Sequence, residues 1–454
     1  MPRLFVALCA VALLAACPGP KSPLKAEVLD YDHGAKKWRL ATSTLDTVED
    51  LNVLTGGWFD VVGNQLISIN DKELKAENPD QLDTKRLAGL VLERRGEPVQ
   101  LSYDLVNNAA GEPVAMANDF ESLAMLTVFH HFEKVWLFYR SDTCGSDNPD
   151  ACVVKDASDA TRTASLVGFY STVAADLGIN IPVLTSDNAA FFSLSDSFII
   201  LRSQQLQGIP LFLNSGVIAH EFSHRVFHHN VYGRGAFGTY YSKNLIEGTD
   251  QATDQDKRTF VLLKGLDEGT ADINGVGFMQ RRDFIADSLE GDIGASTRAQ
   301  RDLEGDWANA VTYGSLKSDN GPAGPPSAAA PNGVDLCATQ QDNADTNSVD
   351  ERLSNNYTNT SWNFYCVGTV WARALWDASG RDVAVLREKL LPAVNRSLAR
   401  LGDQLAQNWY FDFELMVQNM AIEVGTLGDP GLLTQLCDAF RDKFADVMGL
   451  VPQC

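Results

Sequence analysis

From residue 26 to about 115, apolar and polar residues alternate in short runs, as in Trp58-Phe-Asp-Val-Val-Gly and Gln65-Leu-Ile-Ser-Ile, broken by Gly and Asn. A period of two is that of a half-buried strand, so this stretch predicts strands and turns. The pattern changes at 118–141, where Phe120, Leu123, Leu126, Val128, Phe129, Phe132, Val135, Leu137 and Phe138 predict a long, largely buried helix. Residues 160–205 read as a further helix and then strands, among them Ala189-Ala-Phe-Phe and Ser197-Phe-Ile-Ile-Leu. The mostly apolar run from Val217 to Val226 follows Asn214-Ser215-Gly216, which supplies N-cap residues, and predicts a buried helix. The charged residues 276–312 also read as helical, whereas 232–254 and the Gly/Pro-rich 315–347 read as loops. Val383, Leu386, Leu390, Leu432, Leu436, Phe440 and Phe444 give a helical C-terminal part. The expectation is an α+β fold of two lobes. A β-rich region at 26–115 precedes a domain at 116–454, whose N-lobe (116–230) mixes sheet and helix and whose C-lobe (231–454) is mainly helical.

The chemistry concentrates in the helix around Val217–Val226. His220-Glu221-x-x-His224 places two imidazoles one turn apart on one face, where both can grip one metal ion, usually Zn²⁺. Glu221 leans over the same face without being needed as a ligand, the position of a general base acting on a zinc-bound water. Further along, Glu268-Gly-Thr-Ala-Asp272 offers a third ligand in Glu268, with Asp272 one turn on.

These two motifs resemble the zinc-site pair of the gluzincin metallopeptidases, especially the thermolysin-like and fungalysin-like enzymes. The resemblance implies a zincin-type fold with one catalytic Zn²⁺ held by His220, His224 and Glu268, and Glu221 as base. It also implies that Asp272 accepts a hydrogen bond from a ligand histidine, and Asp267 can do the same for the other. Asp187-Asn188-Ala189-Ala190-Phe191 is similar to the edge strand over which these enzymes lay their substrate, which makes Asn188 and Ala189 candidate substrate-binding residues. Gly368-Thr-Val-Trp-Ala-Arg-Ala-Leu-Trp-Asp377 is similar to a helix of the fungalysin-like group. Two departures stand out. Arg225 follows the second histidine directly, and all 7 histidines lie at or before His229. The downstream histidine that steadies the oxyanion in thermolysin-like enzymes is therefore absent. Tyr365, Tyr357, Tyr313 and Arg373 are the candidates to replace it.

Composition narrows the function further. A formal charge of −22 over 454 residues argues against nucleic acid, which is bound by clustered Lys and Arg. The remaining histidines read as structural. His130 and His131 point about 100° apart on their helix, and His228 lies in line with the ligand pair rather than at a tetrahedral corner. Asp147, Asn148 and Asp150 could offer oxygens to Ca²⁺, but their loop lacks an EF-hand pattern, so Ca²⁺ is unsupported. At the N-terminus Arg3 and the apolar run Leu4–Ala16 read as an export signal. Leu14-Ala15-Ala16-Cys17 resembles a bacterial lipobox, which implies removal of 1–16, a lipid on Cys17, a tether over 17–25 and a membrane anchor on the periplasmic face or cell surface. Six further cysteines suggest disulfides, with nearest-neighbour pairs 144–152, 337–366 and 437–454. The functional expectation is a zinc-dependent endopeptidase cutting extracytoplasmic proteins or peptides. The alternative is a catalytically impaired, protease-like surface lipoprotein that acts as a binding module.

Overall fold

Strand β1 (Leu24–Asp32) runs antiparallel to β2 (Lys37–Leu45), with Leu24 opposite Leu45 and Asp32 opposite Lys37. Along β1, Leu24, Ala26 and Val28 are buried and alternate with half-exposed Lys25 and Glu27, so the period-two pattern marks the face turned to the core. Two later strands, β7 (Tyr103–Asn107) and β8 (Pro113–Ala117), complete a four-stranded sheet in the order β2-β1-β8-β7. This computed structural model describes residues 23–32, 35, 37–57, 59–63, 97–98, 100–140, 166–171, 189–192, 197–201, 210–232, 254–285, 288, 301–316, 364–449 and 451–454. The signal segment, Cys17, Asn188, Tyr357, the 144–152 loop and Cys337 lie outside the described residues.

A second sheet carries the site. Its path is β10 (Ala189–Phe192), β11 (Ser197–Leu201), β9 (Leu166–Ser171), β5 (Phe59–Gly63), β4 (Thr55–Gly56) and β3 (Val48–Asp50), with β6 (Glu97–Pro98) also paired to β5. Strands β5, β9 and β11 are parallel, and β10 turns back antiparallel to β11 to form the edge among the described residues. Residues 166–171 are thus strand within the stretch expected to begin with a helix.

Helix α1 (Phe120–Phe138) packs against both sheets and the metal-motif helix, which is why its apolar residues face nearly every direction. Asp119 caps it by accepting from the Ser122 N–H at 2.7 Å. Its histidines belong to the core. Burial pushes His130 and His131 each down to about 3, and the charge of Lys134 adds to this. In the unfolded chain both titrate near 6.5, so below that pH the unfolded state binds protons that the fold refuses. Stability is therefore full above about pH 6.5 and falls as the pH drops toward 3. Thermal unfolding followed from pH 7 to pH 4 is expected to show a shallower loss in His130→Leu/His131→Leu than in the unaltered chain. Equal slopes would refute this account.

The metal-motif helix α2 (Ser215–Asn230) is clamped by an aromatic layer. Phe222 stacks between Tyr139 (centroids 4.8 Å) and Phe198 of β11 (5.8 Å), and Phe198 meets Phe132 of α1 at 5.1 Å. Tyr139 also donates its hydroxyl to the Ala219 carbonyl at 3.0 Å, one residue before His220.

The C-terminal part is helical: α3 (Asp254–Met279), α4 (Phe364–Ala378), α5 (Leu391–Gln407), α6 (Phe413–Thr426) and α7 (Pro430–Lys443). Trp371 of α4 packs on Phe413 and Phe440 at 5.9 and 5.2 Å. The helix expected over 276–312 is a correction. Helix α3 ends at Met279, Gln280 takes the left-handed φ of 55°, and Arg281 N–H closes the turn on the Val276 carbonyl. Arg301 is helical, and residues 302–305 leave the helix before a short one at Asp306–Ala310. Two buried cations pin that segment. Arg373 donates to the Leu303 carbonyl, and Lys443 donates to the carbonyls of Ala308, Asn309 and Val311 at 3.4, 2.6 and 3.3 Å. Cys437 and Cys454 are joined, one of the three expected pairs, and Cys366 is also disulfide-bonded. Among the described residues, no helix is long and apolar enough to cross a membrane.

Candidate metal centre

Helix α2 begins where Asn214 accepts from the Gly216 N–H at 2.9 Å, while its amide donates to Phe284 O and Ser288 Oγ. Five residues into the helix, His220 turns its Nε2 toward that of His224, 3.1 Å away. Glu268 arrives from α3, its Oε2 lying 3.5 Å from His220 Nε2 and 3.7 Å from His224 Nε2. These three atoms form a triangle with edges close to the ~3.3 Å expected between ligands held at ~2.0–2.1 Å around a tetrahedral ion. Among the described residues, this is the cluster of His, Cys, Asp or Glu groups that can hold a metal ion.

Each histidine has its own carboxylate behind it. His224 Nδ1 is hydrogen-bonded to Asp267 Oδ1 at 2.7 Å, and His220 Nδ1 lies 3.0 Å from Asp272 Oδ1. Such a partner fixes the ring and leaves Nε2 to face the ligand position. Four carboxylates, Glu221, Asp267, Glu268 and Asp272, stand against two cations. Lys264 Nζ is 3.2 Å from Glu268 Oε1 and 3.6 Å from Asp267, and Arg301 is 2.8 Å from Asp272 and 3.8 Å from Glu268 Oε2. With neutral imidazoles this count leaves two negative charges in a mostly buried site, the charge that a divalent cation cancels. The residues fit the ion.

Protonation tells the same story. Burial opposes a charge on His220, but Asp272 and Glu268 prevail and raise it to about 9. Burial also works against the Glu268 carboxylate, yet Lys264 and the two histidines hold it well below the usual range. In the metal-free protein a proton on His220 thus occupies the place of the cation. A metal taking Nε2 must displace that proton, so affinity rises with pH up to about 9. Calorimetry of Zn²⁺ uptake at pH 7.5 in buffers of different ionisation heat is expected to show release of about one proton per ion. Uptake without proton release would contradict the raised His220.

Glu221 sits on the same turn as His220 and takes no part in the triangle. Burial raises its carboxyl, while the Phe191 N–H, donated to Glu221 Oε2 at 3.0 Å, works the other way. Because Phe191 belongs to the edge strand β10, the outward face of that edge lies beside the metal motif. Ala189, two residues earlier, is buried and pairs with Ile200 of β11.

Sequence reasoning missed Arg301 and Lys264. Lys264 was legible in principle, one turn before Glu268 on the same helix; Arg301 is helical and carries no motif. Of the replacement donors, Tyr313 is buried with its hydroxyl 3.3 Å from Asp412, and Arg373 is buried and engaged with Leu303 and Asp377. Tyr365 stands at the site, its ring 5.0 Å from the Arg301 guanidinium. Arg225 is buried with its guanidinium over the Phe222 ring at 5.8 Å, and His228 sits beside Phe191 and Tyr232 rather than in the cluster.

Fold and site together define an α+β protein with a buried His/His/Glu cluster that can coordinate a metal ion. No family model matches the sequence, and no curated protein matches it. Among solved structures, the precursor of protealysin, a metalloproteinase from Serratia proteamaculans, is similar at 12% identity and a TM-score of 0.40, over 96% of this chain and 92% of that one.

Proposed function

We propose that this chain is a zinc-dependent endopeptidase acting on extracytoplasmic peptides or proteins. The observation that carries the reading is the placement of Glu221, which lies next to a three-ligand cluster and is hydrogen-bonded to the edge strand through Phe191 N–H. A structural metal site has no use for a partly desolvated carboxylate at that place. Zn²⁺ held by His220, His224 and Glu268 would supply a Lewis acid that polarises a carbonyl and acidifies water.

This chain's own residues account for the other requirements. An extended peptide would lie along the edge of β10 beside Ala189 and Phe191, the mode by which edge strands take a peptide. Glu221 takes a proton from the attacking water as its oxygen bonds to the carbonyl carbon and the C=O electron pair moves onto the carbonyl oxygen. The same carboxyl then passes that proton to the amide nitrogen as the C–N bond breaks, and the second water proton follows from the new carboxylic acid to the amine, leaving a carboxylate and an ammonium group. Asp267 and Asp272 hold the imidazoles in place throughout.

The direct test is to load the full chain with Zn²⁺ and incubate it with a mixed peptide library. Internal cuts that disappear on chelation and return with Zn²⁺ are expected. A protein that binds one zinc ion per chain and cuts nothing would transfer the site to the binding-module reading.

A further inference from the structure

We infer that Lys264 is a positioning residue that makes Glu268 a one-oxygen ligand and so holds the metal centre to a low coordination number. The inference rests on the metal-binding part of the reading above and is independent of whether the chain cuts peptides.

A carboxylate can meet a cation through one oxygen or through both. Beside a divalent ion in a buried site, the second oxygen gains attraction by turning inward unless another group claims it. Glu268 divides its oxygens. Oε2 faces the histidines, 3.5 Å from His220 Nε2 and 3.7 Å from His224 Nε2, while Oε1 lies 3.2 Å from Lys264 Nζ. Asp267 is divided in the same way. Its Oδ1 takes the hydrogen bond with His224 Nδ1 at 2.7 Å, and its Oδ2 lies 3.6 Å from the same ammonium. One cation thus holds the outer oxygen of a ligand and that of a ligand's partner, leaving each with one oxygen toward the centre. Arg301 does not duplicate this, because it meets Asp272 and approaches Glu268 on Oε2.

The arrangement has a local cause. Lys264, Asp267 and Glu268 stand at i, i+3 and i+4 along α3, so their side chains share a face. The lysine side chain is 25% exposed, against 5% and 6% for the two carboxylates, so its stem enters from the surface and its head reaches buried charge. Helix stability alone is a poor account of the pair, since a lysine four residues before a glutamate is the weaker of the two orders. Two imidazoles and one carboxylate oxygen leave one corner of a tetrahedron for water. A second oxygen from Glu268 would crowd that corner, and an added oxygen donor suits Mn²⁺ better than Zn²⁺. Removing the lysine also makes the centre more negative, which strengthens binding of every divalent ion. The ratio of two affinities cancels that common gain.

The test loads the full chain with Co²⁺, a spectroscopic stand-in for zinc, beside Lys264→Met, which keeps the stem and loses the charge. The strong visible absorption of a four-coordinate cobalt ion is expected to weaken several-fold in Lys264→Met as Glu268 supplies its second oxygen. In competition between Zn²⁺ and Mn²⁺, the preference for zinc is expected to fall by about 10-fold, the lower end of what losing a group behind a ligand costs in metal affinity. Lys264→Arg, which keeps a cation there, should hold both values, and Lys264→Ala carries the test if the methionine variant does not fold. An unchanged cobalt spectrum, or zinc and manganese affinities that rise by one common factor, would overturn the assignment, because the lysine would then act by charge alone. An unaltered chain that takes up no metal would remove the centre and the assignment together. The expected changes in a chain that cuts no peptide would leave the assignment standing and remove only the peptidase reading.

Discussion

Glu221→Gln is expected to lower kcat by ~10²- to 10⁴-fold, the range that a positioned acid–base group contributes. The substitution separates chemistry from structure unusually well. A glutamine at 221 still offers a carbonyl oxygen to the Phe191 N–H now donated to Glu221 Oε2, so the hydrogen bond between metal helix and edge strand survives. What disappears is the ability to accept and return a proton. Burial raises the Glu221 carboxyl, so the folded protein carries a cost for that ion that an amide does not impose. The melting temperature should therefore stay level or rise while activity collapses, the usual sign of a functional group held against stability. Zinc content should persist, because Glu221 is outside the ligand triangle. Steady-state kinetics, metal analysis and thermal unfolding on the same preparations check all three. Activity that survives in Glu221→Gln would remove Glu221 from the mechanism.

The largest structural effect is expected at Gly269. A Cβ there would meet the carbonyl oxygen of Gly368 and approach its carbonyl carbon to 2.8 Å, contacts with backbone that no side-chain rotation relieves. Alanine gains about 1 kcal/mol over glycine in a helix interior. Overpacking costs roughly 1–3 kcal/mol where side chains can shift, and more where two helix backbones must separate. The clash wins, and Gly269→Ala should lose about 3 kcal/mol or more of stability. It should also weaken zinc binding, since moving α3 away from α4 moves Glu268, the preceding residue. Gly425→Ala provides the contrast. Its Cβ would meet nothing within 4 Å at this exposed position of α6, so propensity alone acts and stability should be unchanged or rise by up to about 1 kcal/mol. Denaturant unfolding of both variants, with chelator competition for zinc, tests the pair. Similar behaviour of the two would refute the helix crossing as the device that sets Glu268.

Much of this architecture is legible in the sequence because local physics fixes it. The spacing of His220 and His224 puts both rings on one face of any helix that contains them. Asn214 marks where that helix starts, and the alternation in β1 marks the buried face of its sheet. Glu268 and Asp272 likewise share a face of α3 through their four-residue spacing. Where local signals were weak, expectation failed. The charged stretch after Met279 has helix-forming composition, yet Gln280 turns left-handed and the chain leaves the helix. Tertiary anchors decide its path, because Arg373 and Lys443 bind its carbonyls from two other helices.

By itself, then, the sequence determined the histidine pair that can hold a metal ion, the glutamate beside it and the carboxylates available to orient them, since helical periodicity acts over a single turn. Only the tertiary structure decided the pairing of Asp267 with His224 and Asp272 with His220, because that depends on how α2 and α3 face each other. It alone placed Arg301 and Tyr365 at the site. Neither belongs to a spaced motif, and both arrive from distant parts of the chain through packing: one just before a segment pinned by buried cations, the other beside two glycines that let helices touch.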